Sequence, residues 1–511
     1  MNLFSPETLA LVFAPQNLAV ILVCTFYGAF VGAMPGLTAT MAVALLVPFT
    51  WFMDPAPAIS AIVATTTTAI FAGDISGALL RMPGTPASAA YVEDSWAIAR
   101  SGRPRTVLTV SLVCASLGGV IGVAILAVLA PQLARIAIGF SSYEAFWLAS
   151  LGLTCAVFVG GASVPKNFAS LFIGLAVASV GIDVAVGHPR FAFGSPDLMA
   201  GISFIPAMIG LFALSELLRN VQSRDPLRLG RIEVEPPRQA LAGAWAALRR
   251  YKLNVLRSGG LGTLIGALPG AGADIAAWIC YAVSRRVSRD GAKFGTGHVE
   301  GVVDGGAANN AAVAGAWTPA IVFGIPGDSV TAIAIGVLML KGLTPGPQIF
   351  TTDGELVRTL FGSFLLANIV MLFTGFLAIL AASHLLRAPR WALMPVVLML
   401  SLVGAFAIEA SEFAIWIVLA LGALGFLMER AGLPLAPAIL GIVLGRIVED
   451  NFMVSMLKAQ GAFAEFFSRD AAALLGAATL ALWAWLLVRG VREALGRERS
   501  GDDHAGERQQ G

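Results

Sequence analysis

The sequence predicts an all-α polytopic membrane protein with two inverted-topology repeats, whose helices are interrupted by Pro-Gly pairs as broken helices or re-entrant hairpins. Three observations lead there. Hydrophobic side chains make up 57% of the 511 residues and charged ones 13%, with a mean hydropathy of +0.81, whereas a globular chain carries about 25% charged residues. Val31-Gly-Ala-Met-Pro-Gly36 returns 234 residues later as Ile265-Gly-Ala-Leu-Pro-Gly270, and Met82-Pro-Gly-Thr85 is answered by Ile325-Pro-Gly-Asp328. The loops that follow equivalent motifs carry opposite charge bias.

The apolar runs set the element order. In the first half they cover 9–34, 37–52, 56–80, 106–130, 136–160, 167–187 and 197–218, each long enough to cross or half-cross a bilayer. Residues 1–80 hold no Lys or Arg, so the first run lacks the basic flank of a cleaved signal peptide and is expected as a retained span. From Arg219 to Lys252 the chain turns polar, with eight basic and three acidic residues around Pro236-Pro237. This predicts a cytoplasmic linker over 219–254 between a first repeat, 1–218, and a second, 255–488. Apolar runs resume at 255–283, 302–325, 329–342, 359–386, 391–408, 413–428, 435–448 and 471–488, and the polar tail 489–511 is expected to be disordered.

Charge placement argues for inversion. The turn at Asp54-Pro55 has no basic residue, while its counterpart in the second half holds Arg285, Arg286, Arg289 and Lys293. After the second motif the bias reverses: Arg100, Arg103 and Arg105 follow in the first half, against one Lys, one Asp and one Glu over Lys341 to Glu355. Equivalent loops of opposite bias belong on opposite faces. A same-direction duplication with one misplaced short span is the alternative.

Pro lacks a backbone donor and Gly favours non-helical conformations, so each Pro-Gly breaks its helix at a depth where lipid-exposed backbone is not tolerated. Half-helices opening after the breaks would turn free N–H groups and a positive dipole end towards an anion such as a carboxylate. On this reading the substrate-binding candidates are Pro35, Gly36, Leu37, Thr38, Pro83, Gly84, Thr85, Pro269, Gly270, Ala271, Pro326, Gly327 and Ser329. The competing reading is a simple kink at each. Asn309 and Asn310, in a Gly- and Ala-rich run, add amides that either meet a ligand or bond between helices. Thr65 to Thr68 either line the path or bond back to helix carbonyls.

Acids inside apolar runs are costly and point to function. Asp74, Asp274 and Asp328 lie beside the breaks and are the ion-coupling candidates; Asp183, Glu144 and Glu409 read as interfacial. Cys24, Cys114, Cys155 and Cys280 stand singly, and His188, His298 and His384 show no ligand spacing, so no metal or redox site is expected. The near-neutral charge balance gives no sign of a nucleic-acid partner.

At these residues the chain resembles the TctA family, the large membrane subunit of tripartite tricarboxylate transporters. The resemblance rests on Gly32-Ala-Met-Pro-Gly-Leu-Thr-Ala-Thr-Met41, Pro83-Gly-Thr-Pro-Ala-Ser-Ala-Ala90, Gly262-Thr-Leu-Ile-Gly-Ala-Leu-Pro-Gly-Ala-Gly-Ala-Asp274, Phe294-Gly-Thr-Gly297, Ala308-Asn-Asn-Ala311, Gly324-Ile-Pro-Gly327 and Gly342-Leu-Thr-Pro-Gly-Pro347. It implies a multi-pass secondary transporter of the bacterial inner membrane that takes up di- or tricarboxylates. Its implied partners are a periplasmic solute-binding protein and a small membrane subunit, and its implied coupling is to Na+ or H+, with no other cofactor. The chain departs from the family pattern at Asp74, Arg81, Thr65 to Thr68, Gly305-Gly306 and Asp328, which puts citrate itself in doubt and offers Arg81 as a counter-charge for the added acids. An anion channel is the alternative. An intramembrane enzyme is less well supported, because no nucleophile and base, metal cluster or phosphate motif is present.

Overall fold

The computed structural model describes residues 5–34, 37–159, 163–183, 187–222, 235–269, 272–385, 390–486 and 488. The chain opens with α1 (Pro6–Val12), α2 (Pro15–Ala33), α3 (Ala39–Thr50), α4 (Pro55–Leu80), α5 (Val92–Arg100) and α6 (Pro104–Ala137). Proline starts α1, α2, α4 and α6, where its missing N–H has no helical partner to lose. Thr38 starts α3 by accepting from the Met41 N–H at 3.1 Å.

Next come α7 (Ser142–Val159), α8 (Val164–Ala178), the antiparallel two-residue strands β1 (Gly181–Ile182) and β2 (Pro189–Arg190), and α9 (Pro196–Met199). The apolar run 167–187 is therefore helical only to Ala178. Gly181, at φ +128°, takes the chain out of the helical region and into the hairpin. Then follow α10 (Phe204–Met208), a π-helical stretch over Ile209–Leu214, and α11 (Ser215–Gln222). The interval expected as a linker holds a helix: α12 (Pro237–Gly266) starts inside it and bends at Tyr251. The chain continues with α13 (Gly272–Val287), α14 (Val299–Phe323), α15 (Ser329–Leu340), α16 (Ile349–Thr352), α17 (Gly354–Leu385), α18 (Arg390–Glu409), α19 (Glu412–Arg430), α20 (Leu435–Lys458) and a last helix, Asp470–Leu486. The tail from 489 lies outside the described residues.

Among the described residues, five helices are long and apolar enough to cross a membrane. The 26 residues of α4 span about 39 Å at 1.5 Å per residue, more than the hydrocarbon core needs. Two compact units emerge, one from residues 1–139 and 203–426, the other from 140–202 and 427–511. Each draws on both sequence halves, and all four Pro-Gly segments belong to the first.

Within the first unit the packing repeats. α2 lies on α4 as α12 lies on α14, α3 touches α4 as α13 touches α14, and α6 crosses α14 as α17 crosses α4. Close approaches fall at equivalent residues. A Cβ on Gly32 would sit 2.3 Å from the Ala69 carbonyl oxygen, and one on Gly266 would sit 2.3 Å from that of Ala312. The second breaks fold back alike: a Cβ on Gly84 would meet Gly73 Cα at 2.3 Å, and one on Gly327 would meet Ala316 Cα at 2.7 Å. Gly73 and Ala316 are 243 residues apart, as are Gly84 and Gly327. At that same offset Asn310 Nδ2 donates to the Thr67 carbonyl at 3.1 Å, so α4 and α14 meet at equivalent positions.

The second unit packs α20 against α7 and α8, with Trp147 and Phe466 buried among Tyr143, Phe146, Phe452 and Phe467. Glu144 accepts from the Ser141 N–H at 2.7 Å and pairs with Arg469 at 2.7 Å.

The repeated contacts predict that Gly32→Val and Gly266→Val are equally harmful. Each forces backbone apart and should cost about 3 kcal/mol or more, read as loss of monodisperse protein after detergent extraction. Gly260→Ala, whose Cβ meets nothing within 4 Å, should leave recovery unchanged.

Candidate functional site

The elements that follow the four breaks pair crosswise between the halves. The loop after Pro83-Gly84 is closed by Thr85 and Ser88, which exchange N–H to hydroxyl hydrogen bonds at 3.1 Å each. Onto it comes α13 of the other half, where Trp278 Nε1 donates to the Pro86 carbonyl at 3.0 Å. Reciprocally, α15, which follows Pro326-Gly327, packs against α3. Pro35, Gly36, Gly270 and Ala271 lie outside the described residues, as does the side chain of Asp274; Leu37, Thr38 and Pro269 flank these gaps.

Next to Gly73, on which the Pro83-Gly84 break folds, begins a buried polar chain. Tyr91 Oη donates to both Asp74 oxygens, at 2.8 and 3.0 Å, and Ser111 Oγ donates to Oδ2. Asn309 Nδ2 donates in turn to Tyr91 Oη at 3.2 Å. Asp74 is 4% exposed, and its neighbours along α4, Phe71 and Ile75, belong to the buried apolar core. Among the described residues it has no ion-pair partner within 4.0 Å. Arg81 is not its counter-charge: the guanidinium turns outward to Glu93 at 2.8 Å and stacks over Trp96.

Asn310 leaves Oδ1 buried without a hydrogen-bond partner, and Thr68 Oγ1 is likewise unpartnered. Thr66 and Thr67 bond back to the Ile62 and Val63 carbonyls, and Thr65 reaches the Cys24 carbonyl at 3.5 Å. The threonine run is thus mostly absorbed by backbone carbonyls.

Asp328 has a different role from Asp74. It is the N-cap of α15, accepting from the Thr331 N–H at 2.7 Å, while the Thr331 hydroxyl accepts from the Asp328 N–H at 2.9 Å. This reciprocal capping box accounts for an acid at the start of the half-helix. Ser329 occupies the first helical position behind it.

A second acidic centre was not singled out in the sequence. Asp304, fully buried in α14, accepts from Asn254 Nδ2 at 2.9 Å, from Arg257 at 2.9 Å, and from the hydroxyls of Ser258 and Ser284. One turn away Glu300 accepts from Asn254 at 2.8 Å and Ser288 at 2.6 Å. Asp304 lies in the apolar run 302–325, so the rule that marks Asp74 marks it too. Tyr91, Ser111 and Asp94 gave no such signal. On the loop beyond α13, Lys293 donates to Asp290 at 2.8 Å, and this hydrogen bond and its charge hold that carboxyl below its usual range.

Glu409 accepts from Ser203, and Asp183 pairs with Arg190 at 3.3 Å. Cys24, Cys114 and Cys280 are buried free thiols. No group of three His, Cys, Asp or Glu that could hold a metal occurs among the described residues.

Interrupted helices packed in matched pairs around buried polar groups define a polytopic membrane protein of the transporter class. The chain belongs to the tripartite tricarboxylate transporter TctA family, whose model matches residues 18–440. It is 30% identical over 481 residues to an uncharacterized 52.8 kDa protein of the TAR-I ttuC' 3' region of Agrobacterium vitis, covering 94% of each chain. It is also 32% identical over 216 residues to an uncharacterized protein of the TAR-II ttuC' 3' region of the same organism, covering 42% of this chain and 89% of that one. No solved structure matches it.

The capping role of Asp328 predicts that Asp328→Ser keeps the melting temperature and Asp328→Ala lowers stability by about 1 kcal/mol. A thermal-shift series on purified protein checks this, and equal losses in both variants would contradict the cap.

Proposed function

We propose that the protein is the large membrane subunit of a three-component uptake system that moves di- or tricarboxylates across the bacterial inner membrane. A periplasmic binding protein delivers the substrate and a small membrane subunit completes the transporter. The observation that carries this is the crosswise pairing of the breaks, α13 on the 83–88 loop and α3 on α15, within one compact unit. Half-helix starts brought together from two repeats supply N–H groups for carboxylate oxygens, with Thr38, Thr85 and Ser329 hydroxyls beside them.

The repeats are inverted. Supporting this, the loop after α13 meets α5, so the two Arg-rich segments share one end, while the basic-poor turn after α3 meets the end of α15.

Asp74 carries the coupling proton. A buried carboxyl surrounded by neutral hydroxyls and apolar side chains bears an uncompensated charge only at high cost, which a proton taken up with the anionic substrate removes. Its place behind Tyr91, at the root of the Pro83-Gly84 loop, links protonation to the geometry of that break. Asn309 orders the chain through Tyr91.

The test is uptake of labelled di- and tricarboxylates by proteoliposomes holding both membrane subunits, with the binding protein added, under imposed proton or sodium gradients. Wild-type uptake should follow the proton gradient. Asp74→Asn should reduce proton-driven uptake about tenfold or more, an effect of at least about 1.4 kcal/mol on the coupled step, while Asp328→Asn keeps proton dependence. Sodium-driven uptake unaffected by Asp74→Asn would transfer coupling elsewhere. Impermeant thiol labelling of Asp54→Cys and Arg289→Cys should modify them from opposite faces, and labelling from one face would refute inversion.

A further inference from the structure

We propose that two latches of opposite chemistry, one at each end of the first compact unit, control access to the paired breaks; this rests on the transport reading above. The first is Asp94, a fully buried carboxylate on α5. Its Oδ1 accepts three backbone N–H groups from the turn before α14, those of Gly295 at 2.9 Å, Gly297 at 2.8 Å and His298 at 2.8 Å. Its Oδ2 accepts from Tyr281 Oη of α13 at 2.7 Å. Gly295 and Gly297 take φ of +84° and +104°, which turns successive N–H groups towards one point and makes an anion nest.

The second latch is Lys341, just beyond α15. Its Nζ donates to the carbonyls of Trp51 at 2.8 Å and Met53 at 2.6 Å, where α3 ends, and lies 5.9 Å from the Trp51 ring centroid. A cation at the C-terminal end of a helix also meets the negative end of its dipole.

The two contacts occupy equivalent places in the repeat. Each ties the short helix that follows a second break, α5 or α15, to the turn that follows the opposite half's first-break helix, α13 or α3. These are the helices that bring the breaks together, so widening the path at either end must undo the contact there. The chemistry also suits release. Opening a close ion pair strands two charges, whereas the hydrogen bonds of each latch set one charge against neutral groups, backbone N–H groups and the Tyr281 hydroxyl for Asp94 and two carbonyls for Lys341, with Asp54 near the lysine. An anion holds the Arg-rich end and a cation holds the basic-poor end, so the two can be released independently.

The test uses a cysteine-free background carrying Ala87→Cys, a buried position in the 83–88 loop. Impermeant maleimide is applied from either face of oriented vesicles. Asp94→Asn should raise labelling about tenfold from the Arg289 face only, the shift expected when a charge-assisted contact ceases to set the population. Lys341→Met should do the same from the Asp54 face only. Gly295→Ala, which has open space for its Cβ but a positive φ, strains the nest while keeping the Asp94 carboxylate and should copy Asp94→Asn. Unchanged labelling in all three variants, or a rise from the same face for both ends, would overturn the latches. Wild-type uptake is measured in parallel: its failure strikes the transport reading, while side-specific labelling judges the latches by itself.

Discussion

Irregular backbone inside a membrane has to be covered by protein, and this constraint shapes the first unit. The N–H and C=O groups released at each break find no water in the hydrocarbon region, so neighbouring helices must close over them. Beside the breaks, helices approach backbone to backbone, at Gly32 on Ala69, Gly266 on Ala312, Gly84 on Gly73 and Gly327 on Ala316. Small residues make these approaches possible, and burial of α4 and α14 follows from them. The Thr67–Asn310 hydrogen bond then ties the two inner helices at equivalent positions.

Within this frame, acids that look alike in the sequence are held by different physics. Asp328 caps a helix, Asp94 fills a backbone nest, Asp304 has an arginine and three other donors, and Asp74 has only neutral donors. Removing a partner from a buried charge costs more than the pair contributes. Asp304 is therefore held by an ion pair, while Asp74 alone of the four receives neither a cation nor a backbone N–H, only the hydroxyls of Tyr91 and Ser111. That difference is what favours Asp74 for the proposed coupling role.

The fold class and the breaks were legible because their causes are local: apolar runs, Pro, Gly and loop charge all act through the residue that carries them. The threonine back-bonding at Thr66 and Thr67 was equally local. What escaped the sequence was partnership over long separations. Arg81 stood near Asp74 in the chain, yet a left-handed backbone at φ +58° turns it away to Glu93. Asp94 lies in a short helix with Glu93 and Arg100, where nothing local separates a solvated acid from one that organises a loop 200 residues away. The hairpin at 181–190 was hidden for a related reason: its apolar residues continue the pattern of α8 while Gly181 changes the backbone.

The repeat supplies a nearly symmetric frame with asymmetric chemistry. At the 243-residue offset, Asp74 corresponds to Trp317 and Asp304 to Ala61, so each half contributes a buried acid that the other lacks. A purely symmetric pair of breaks would give both faces the same affinity and the same response to protons. The proposed proton-bearing acid lies behind the Pro83-Gly84 break alone, and an Arg257–Asp304 pair lies on the other repeat, so the two breaks are chemically unequal. In a carrier driven by an ion gradient the gradient supplies the free energy. Under the proposed proton coupling, this asymmetry would tie the proton to one of the two half-sites, so that its binding and release change one break relative to the other.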